Sequence, residues 1–143
     1  MAVNVAINGF GRIGRLVLRG IIESGRKDIN VVAINDLGSI ENNAHMLKYD
    51  SVHGTLAATV KATKTGINVN GKAIKVIAER DPANLPWDKM GVDIALECTG
   101  LFTSQETAGK HITAGAKRVL VSAPASGADL TVVYGVNHKK LRK

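Results

Sequence analysis

Three glycines near the N-terminus have the spacing of a turn that binds phosphate. The segment Gly9-Phe10-Gly11-Arg12-Ile13-Gly14 matches the pattern GxGxxG between an apolar run and an amphipathic one. The first glycine permits a tight turn, the second leaves room for a pyrophosphate, and the third allows a helix to pack closely on a strand. The backbone amides from Phe10 to Ile13 are the expected donors to the anion, and Arg12 adds a positive charge. Glycine-rich turns also occur for steric reasons alone, so a second signal is needed.

Asp36 supplies that second signal. It follows an apolar, β-branched run at residues 29–34 and lies about 20 residues beyond Gly14, the usual distance for an acidic group that reads the ribose. A carboxylate there accepts hydrogen bonds from the ribose hydroxyls of adenosine and repels a 2′-phosphate. The alternative is an ordinary turn-forming aspartate. Together with the glycines, Asp36 predicts a dinucleotide site that prefers NAD to NADP.

These residues lie where predicted strands and helices meet. Strands are predicted at residues 3–7 and 29–34, with a helix from about residue 12 to residue 24 between them, which makes a βαβ unit. A second helix is predicted over residues 40–48. Between residues 60 and 78, short alternating strands with turns at Thr65-Gly66 and Asn70-Gly71 predict an antiparallel excursion at one edge of the sheet.

The alternation of strand and helix then resumes. Strands are predicted at residues 92–97, 118–122 and 130–134, and a helix from Thr103 to Ala114 begins with capping-box spacing between Thr103 and Glu106. The expected fold is α/β and Rossmann-type, with a doubly wound, mostly parallel sheet, in one domain over residues 1–143. Residues 138–143 contain no terminating signal, and the chain is expected to continue in its natural form.

Composition narrows the classes of function. The net charge of +7 at pH 7 favours anionic ligands, whereas an aromatic content of 3% leaves little for stacking nucleic-acid bases. No apolar run has the length of a membrane span and no signal peptide is recognised, so a cytoplasmic location is expected. Cys98 is the only cysteine, which argues against disulfides and a cysteine-based metal site, and no metal site is expected.

Seven motifs, in this order, resemble the phosphorylating glyceraldehyde-3-phosphate dehydrogenases. They are INGFGRIGR, AIND, LKYDSVHG, ERDP, ECTGLF, AGAKRVLVSAP and VVYGVN, and they extend from residue 3 to about residue 142. What they resemble is the N-terminal, NAD-binding part of those enzymes. The resemblance therefore implies NAD as the cofactor. It also implies that the catalytic domain lies outside these residues.

The resemblance assigns cofactor contacts residue by residue. Arg12 and Ile13 would hold the pyrophosphate, and Asp36 would bind the adenosine ribose. Three residues would surround the adenine, namely Leu37, Arg80 and Phe102. Thr99 and Gly100 would lie along the middle of the cofactor, and Ser122 towards its nicotinamide end. Arg80 is alternatively a surface arginine, and Ser122 a simple strand terminator.

The resemblance also implies an activity. Members of this family oxidise D-glyceraldehyde 3-phosphate with NAD and phosphate to 1,3-bisphosphoglycerate in glycolysis, and they are homotetramers. Their catalytic cysteine lies in a Ser-Cys-Thr-Thr-Asn setting that is absent here, so we expect NAD binding without turnover and no catalytic residue. Cys98 is interpreted as a buried structural cysteine. The four histidines are interpreted as structural or surface residues, and Trp87 as a loop anchor.

Three other functions remain open at this point. Erythrose-4-phosphate dehydrogenase has a very similar first domain, and the substrate is chosen mostly outside it. A non-catalytic NAD-sensing module would need an effector domain that the sequence does not contain. An RNA-binding protein would use the basic surface and would bind with a steep dependence on salt.

Overall fold

The strand before the glycine turn and the strand after the helix that follows it lie side by side in the middle of a seven-stranded sheet. The computed structural model describes residues 1–142, whose elements are β1 (Val3–Asn8), α1 (Arg12–Glu23), β2 (Ile29–Asn35), α2 (Ile40–Lys48), β3 (Tyr49–Asp50), β4 (Gly54–Thr55), β5 (Val60–Ala62), β6 (Gly66–Val69), β7 (Lys72–Ile77), β8 (Ile94–Glu97), α3 (Gln105–Ala108), α4 (Lys110–Thr113) and β9 (Arg118–Val121). Short 3₁₀ turns cover Pro82–Asn84 and His138–Lys140. The predicted strands and helices are therefore largely present.

The strand order places the reversal of the sheet at β1. Across the sheet the order is β5-β6-β7-β2-β1-β8-β9. The chain first builds outward from β1 through β2 and then returns to add β8 and β9 on the other side. The pairs β7–β2, β2–β1, β1–β8 and β8–β9 are parallel. At one edge of the sheet, β6 pairs antiparallel with both β5 and β7. This confirms the doubly wound, mostly parallel sheet with its antiparallel excursion.

Apolar side chains cover both faces of the sheet. On one face Ile7 and Ile34 pack with Leu18 of α1 and Leu47 of α2 in the first core cluster. The other face carries small residues from the same strands, and Trp87 is the largest side chain of the second cluster there. Parallel strands need cover on both faces because each has apolar side chains pointing both ways. The helices that supply this cover also position the site.

The edge hairpin forms at the predicted Asn-Gly pair. Val69 pairs with Lys72, so the loop between β6 and β7 contains only Asn70 and Gly71. Both have positive φ, 51° and 85°, as a type I′ turn requires, and this turn matches the twist of the two strands. The prediction from the Asn-Gly signal is confirmed.

Two predictions near the C-terminus differ from the structure, because the helix is interrupted and the last strand does not form. The helix predicted from Thr103 to Ala114 divides at Gly109 into α3 and α4, at a residue that weakens a helix. Its capping box is formed by Ser104 and Thr107 rather than by Thr103 and Glu106.

The strand predicted at residues 130–134 does not form. In this segment the backbone amide of Val133 donates to Asn137 Oδ1, and Asn137 Nδ2 donates to the backbone carbonyl of Thr131. Val133 and Tyr134 are largely exposed. A strand needs a neighbour to pair with, and within residues 1–142 the sheet ends at β9. The local sequence alone was therefore insufficient to predict this segment.

Candidate dinucleotide site

The candidate site lies at the carboxyl ends of β1 and β8, where the order of the strands reverses. Loops leaving neighbouring strands in opposite directions open a crevice at such a point, and ligands of open α/β sheets bind there. A cleft of about 360 Å³ occupies this place. The residues that line it follow the ends of four strands: Asn8, Gly9, Gly11, Asn35, Asp36, Leu37, Glu79, Arg80, Cys98, Thr99, Leu101 and Phe102.

Seven of the thirteen predicted site residues line this cleft, namely Gly9, Gly11, Asp36, Leu37, Arg80, Thr99 and Phe102. Six do not, namely Phe10, Arg12, Ile13, Gly14, Gly100 and Ser122. The segments they belong to still meet at one edge of the sheet, because that is where parallel strands end.

The three glycines have three different environments. A Cβ on Gly9, whose φ is +89°, would lie 2.8 Å from the backbone nitrogen of Thr99. A Cβ on Gly14 would overlap the carbonyl oxygen of Gly9, so α1 packs directly on the turn. A Cβ on Gly11 would meet nothing within 4 Å. Only Gly11 is therefore free of any steric demand from the protein itself.

The N-terminus of α1 offers unpaired amide donors. Gly11 is its N-cap, no side chain caps it, and no acidic residue lies in its first turn. Across residues 1–142, the amides of Gly11, Arg12 and Ile13 find no protein acceptor. Unpaired amides at a helix N-terminus carry partial positive charge and bind anions.

Phe10 does not provide one of these donors, which corrects the prediction for its amide. The amide of Phe10 donates to Asp36 Oδ2 at 2.9 Å, and its side chain is only 1% exposed in the first core cluster. The turn itself consumes this donor, because the Asp36 carboxylate lies directly across from it. The amides of Gly11, Arg12 and Ile13 remain.

The charge of Arg12 is offset by Asp50, which corrects the prediction that it adds a free positive charge. The guanidinium binds the Asp50 carboxylate at 2.6 Å. Hydrogen bonds from the amide of His53, together with those from Arg12 and the amide of Val52, hold the pKa of Asp50 well below its usual range. This explains the YDSVHG motif in structural terms, because Asp50 fixes its turn against the start of α1.

The Asp36 carboxylate faces both the turn and the cleft. Besides the Phe10 amide, it accepts hydrogen bonds from the amide of Gly38 at 2.8 Å and from Asn43 Nδ2 at 3.3 Å. It is half-buried, and it lines the cleft together with the exposed side chain of Leu37. Asp36 thus organises the loop after β2 and lines the cleft, and its contact with a ribose stays a prediction.

Arg80 and Phe102 complete one end of the cleft. Arg80 is exposed and Phe102 is half-buried, and they approach from the segments after β7 and β8. Together with the aliphatic side chain of Leu37, the ring of Phe102 and the guanidinium of Arg80 can enclose a flat ring by apolar and cation–π contacts. Their contact with adenine stays a prediction.

Thr99, Gly100 and Ser122 follow the ends of two neighbouring strands. Gly100 has a φ of +74° and turns the chain after β8. Ser122 follows β9, is exposed, and lies beside the thiol of Cys98. Thr99 lines the cleft together with Gly9, whereas Gly100 and Ser122 do not line it.

Cys98 is half-buried and follows β8 rather than lying within it. It packs against the first core cluster and also lines the cleft, so the interpretation as a buried structural cysteine is correct for its packing but not for its exposure. Burial raises the pKa of its thiol. A raised pKa keeps the thiol protonated and weakly nucleophilic.

Sequence reasoning missed a buried polar cluster beneath the cleft. Glu97 and His111 are 1% and 0% exposed and are hydrogen-bonded to each other, and His111 also accepts a hydrogen bond from the indole N–H of Trp87. Asn8 and Asn35 extend the cluster along the ends of β1 and β2. The Glu97–His111 pair joins separate elements with no recognisable spacing, so the sequence contained no signal for it.

Residues 1–142 contain neither a metal-binding cluster nor a membrane-spanning helix. They contain no group of three or more His, Cys, Asp or Glu side chains arranged to hold a metal ion. None of the helices within this range combines the length and apolar character needed to cross a membrane.

Known proteins similar to this chain identify its family. Residues 3–105 match the family described as glyceraldehyde 3-phosphate dehydrogenase, NAD binding domain. The chain is 67% identical to a glyceraldehyde-3-phosphate dehydrogenase of Xanthobacter flavus and 62% identical to one of Cereibacter sphaeroides, each over 141 residues. Each match covers 99% of this chain and 42% of the relative. The chain thus spans less than half the length of these relatives. It belongs to the glyceraldehyde-3-phosphate dehydrogenase family, as an NAD-binding domain whose cofactor is NAD.

Proposed function

We propose that this chain is the cofactor-binding part of a longer enzyme that oxidises D-glyceraldehyde 3-phosphate with NAD and inorganic phosphate. The open space at Gly11, beside three unpaired amides, is the observation that carries the proposal. A side chain there would cost the protein nothing sterically, so its absence leaves space for a ligand. The amides are suited to an anion.

In this proposal each part of NAD contacts a different group of residues. The amides of Gly11, Arg12 and Ile13 would hold the diphosphate, while Gly9 and Gly14 shape the turn. Asp36 would accept hydrogen bonds from the adenosine ribose, and its charge would disfavour a 2′-phosphate. Residues proposed for the adenine pocket are Leu37, Arg80 and Phe102. Thr99 and Gly100 would follow the middle of the cofactor, and Ser122 its nicotinamide end.

Residues 1–142 contribute orientation rather than bond making. NAD, when bound, accepts the hydride removed from the aldehyde. The thiol that forms the acyl-enzyme and the histidine that acts as its base are proposed to lie in the remaining part of the enzyme. The raised pKa of Cys98 argues against that role for the one thiol present. A cytoplasmic homotetramer acting in glycolysis is part of the same proposal.

The alternatives receive less support. The relatives described above carry the glyceraldehyde name, so erythrose-4-phosphate dehydrogenase is not favoured. A nucleic-acid-binding role would rest on the net charge of +7 alone, and Arg12, Arg19, Arg26, Lys110 and Lys117 all have carboxylate partners.

Calorimetric titration of the chain with NAD and NADP tests the proposal. We expect detectable but weak binding of NAD and weaker binding of NADP. Mixing the chain with aldehyde, phosphate and NAD should give no sustained absorbance from NADH. Absence of NAD binding would contradict the proposed site, and sustained NADH formation would contradict the proposed division of labour.

A further inference from the structure

A chain of hydrogen bonds beneath the cleft connects the candidate site to the core on the other face of the sheet. It begins at the buried indole of Trp87, passes through His111 and Glu97, and ends at Thr99 in the wall of the cleft. Trp87 and His111 are both 0% exposed. Water therefore has no access to the two groups that anchor the chain.

The direction of each hydrogen bond is fixed by chemistry. The indole N–H of Trp87 only donates, and it lies 2.9 Å from His111 Nδ1. Nδ1 must accept, so the neutral imidazole carries its proton on Nε2. That proton is donated to Glu97 Oε2 at 2.8 Å.

Asn8 is fixed in the same way. Its Oδ1 accepts from Asn35 Nδ2 at 2.7 Å, and its Nδ2 donates to Glu97 Oε2 at 2.6 Å. One carboxylate oxygen is thus held by two donors whose orientations are set by other buried groups.

The second oxygen of Glu97 holds the turn after β8. Glu97 Oε1 accepts from the amide of Thr99 at 2.8 Å and also from its hydroxyl. The hydroxyl of Thr99 in turn accepts from the amide of Leu101 at 3.0 Å. Burial would raise the pKa of Glu97, but the hydrogen bonds from His111, Thr99 and Asn8 outweigh it and hold the pKa below its usual value.

Thr99 lies directly against Gly9, the first glycine of the glycine turn. A Cβ on Gly9 would lie 2.8 Å from both the backbone nitrogen and the Cγ2 of Thr99. Because Gly9 and Thr99 both line the cleft, a shift of the Thr99 turn would change the shape of the cleft wall beside the glycines. Glu97 does not line the cleft, so any influence on a ligand passes through Thr99.

We propose that Glu97 is a positioning residue for the cofactor. Held on one oxygen by Asn8 and the His111–Trp87 pair, it uses the other to fix the Thr99 turn at the distance from Gly9 that the middle of the cofactor requires. This inference rests on the proposed cofactor site.

The charge of Glu97 is essential to this role because all four neighbouring groups donate. In Glu97→Gln the new amide presents N–H groups to one side and therefore faces two donors whichever way it lies. On the His111 side, the imidazole cannot move its proton to Nδ1, because that atom faces the indole N–H. We expect NAD binding about tenfold weaker, as for other buried donors left without an acceptor.

Removal of the indole N–H should relieve this conflict. In Glu97→Gln/Trp87→Phe, His111 is free to carry its proton on Nδ1 and to accept at Nε2 from the new amide. Asn8 Nδ2 already lies 3.4 Å from that nitrogen and can share it. A role in packing alone predicts additive losses, whereas a role through this hydrogen-bonded chain predicts rescue.

The experiment is calorimetric titration with NAD of four proteins: wild type, the two single variants and the double variant. We expect Trp87→Phe to bind within about threefold of wild type, and the double variant to bind at least about threefold more tightly than Glu97→Gln. Nitrogen-15 NMR of His111 should show the proton on Nε2 in wild type and on Nδ1 in the double variant. The inference fails if Glu97→Gln binds like wild type or if the double variant shows no recovery.

Two variants of Thr99, at the cleft end of the hydrogen-bonded chain, cover the case in which Glu97→Gln does not fold. Thr99→Val removes the hydroxyl and keeps the shape, whereas Thr99→Ser keeps the hydroxyl. We expect Thr99→Ser, which keeps the hydroxyl bond to Glu97, to bind NAD more tightly than Thr99→Val, and equal binding by both would overturn the inference. Wild type that does not bind NAD at all would instead defeat the proposed function.

Discussion

At the scale of single residues, Gly11 separates the demands of a ligand from those of the fold. Its φ of −73° is open to any residue, and a Cβ there would meet nothing within 4 Å. We therefore expect Gly11→Ala to lower the free energy of unfolding by no more than about 1 kcal/mol, because alanine is a poorer N-cap than glycine. The same methyl group would lie where the diphosphate approaches. NAD affinity should fall at least about tenfold, which calorimetry would measure.

Gly20→Ala is the matched control for that change. Gly20 lies in α1, and a Cβ there also meets nothing within 4 Å, but it is distant from the cleft. We expect unchanged NAD affinity and a gain in stability of up to about 1 kcal/mol, since alanine is the better helix former. Equal NAD affinity for both glycine variants would contradict the place assigned to the diphosphate.

Asp36 serves the loop and the ligand with the same carboxylate. In Asp36→Asn, the remaining oxygen can still accept from Gly38 and Asn43, while the Phe10 amide faces the new NH2 group and loses its acceptor. We expect NAD affinity to fall about tenfold and the preference for NAD over NADP to narrow, because the charge that repels the 2′-phosphate is gone.

The control for this change lies at the other end of β2. Asp28→Asn removes the same charge from an exposed residue that pairs only with Arg26, and we expect it to leave both affinities unchanged. Calorimetry with NAD and NADP on both variants gives the comparison. A preference for NAD that is retained in Asp36→Asn would show that another group excludes NADP.

Local spacing explains how much of the site the sequence could predict. Gly9, Gly11, Gly14 and Asp36 act through a turn and a strand end that lie within one βαβ unit, so their spacing carries the information. The Glu97–His111 pair joins two elements of the fold, and neither segment contains a sequence signal that predicts contact with the other. The engagement of the Phe10 amide by Asp36 likewise depends on the register of β1 and β2.

At the scale of elements, the contact between α1 and the glycine turn leaves no space. A Cβ on Gly14 would overlap the carbonyl oxygen of Gly9 and come within 3.0 Å of Ile7. Gly14→Ala must push the helix away from β1, and we expect a loss of at least about 2 kcal/mol of unfolding free energy, typical of overpacking in a tight core. Urea unfolding followed by the fluorescence of Trp87 would measure it. Stability equal to that of Gly11→Ala would refute this account of the third glycine.

The errors in predicting elements have a common physical cause. A helix from Thr103 to Ala114 and a strand at residues 130–134 both fit the local pattern of apolar residues. The first divides at Gly109, whose own φ and ψ remain helical, and His111 in the second piece is fully buried. The second lacks a neighbouring strand beyond β9 within residues 1–142. Local pattern gives the preference of a segment, but tertiary partners decide whether the element forms.

At the scale of the whole molecule, carboxylates link elements that are distant in the chain. Asp50 joins the β3–β4 hairpin to α1 through Arg12, and Asp81 joins the 3₁₀ turn at Pro82–Asn84 to α4 through Lys110. Asp93 accepts from the amide of Asn4 in β1 and binds Lys117 before β9. Hydrogen bonds to backbone amides and basic side chains lower the pKa of all three groups.

These lowered pKa values predict the direction in which stability changes with pH. A carboxylate with a lower pKa in the folded state stabilises the fold above its unfolded pKa, which is about 4, and loses that contribution as the pH falls through the folded value. We expect the free energy of unfolding to be nearly constant from pH 7 to about pH 5 and to fall steadily below about pH 4. Urea unfolding at each pH, followed by Trp87 fluorescence, measures it. Arg12→Gln, which removes one partner of Asp50, should be less stable than wild type at pH 7 and should converge with it in acid. A difference that grows as the pH falls would contradict the assignment of the Arg12–Asp50 pair.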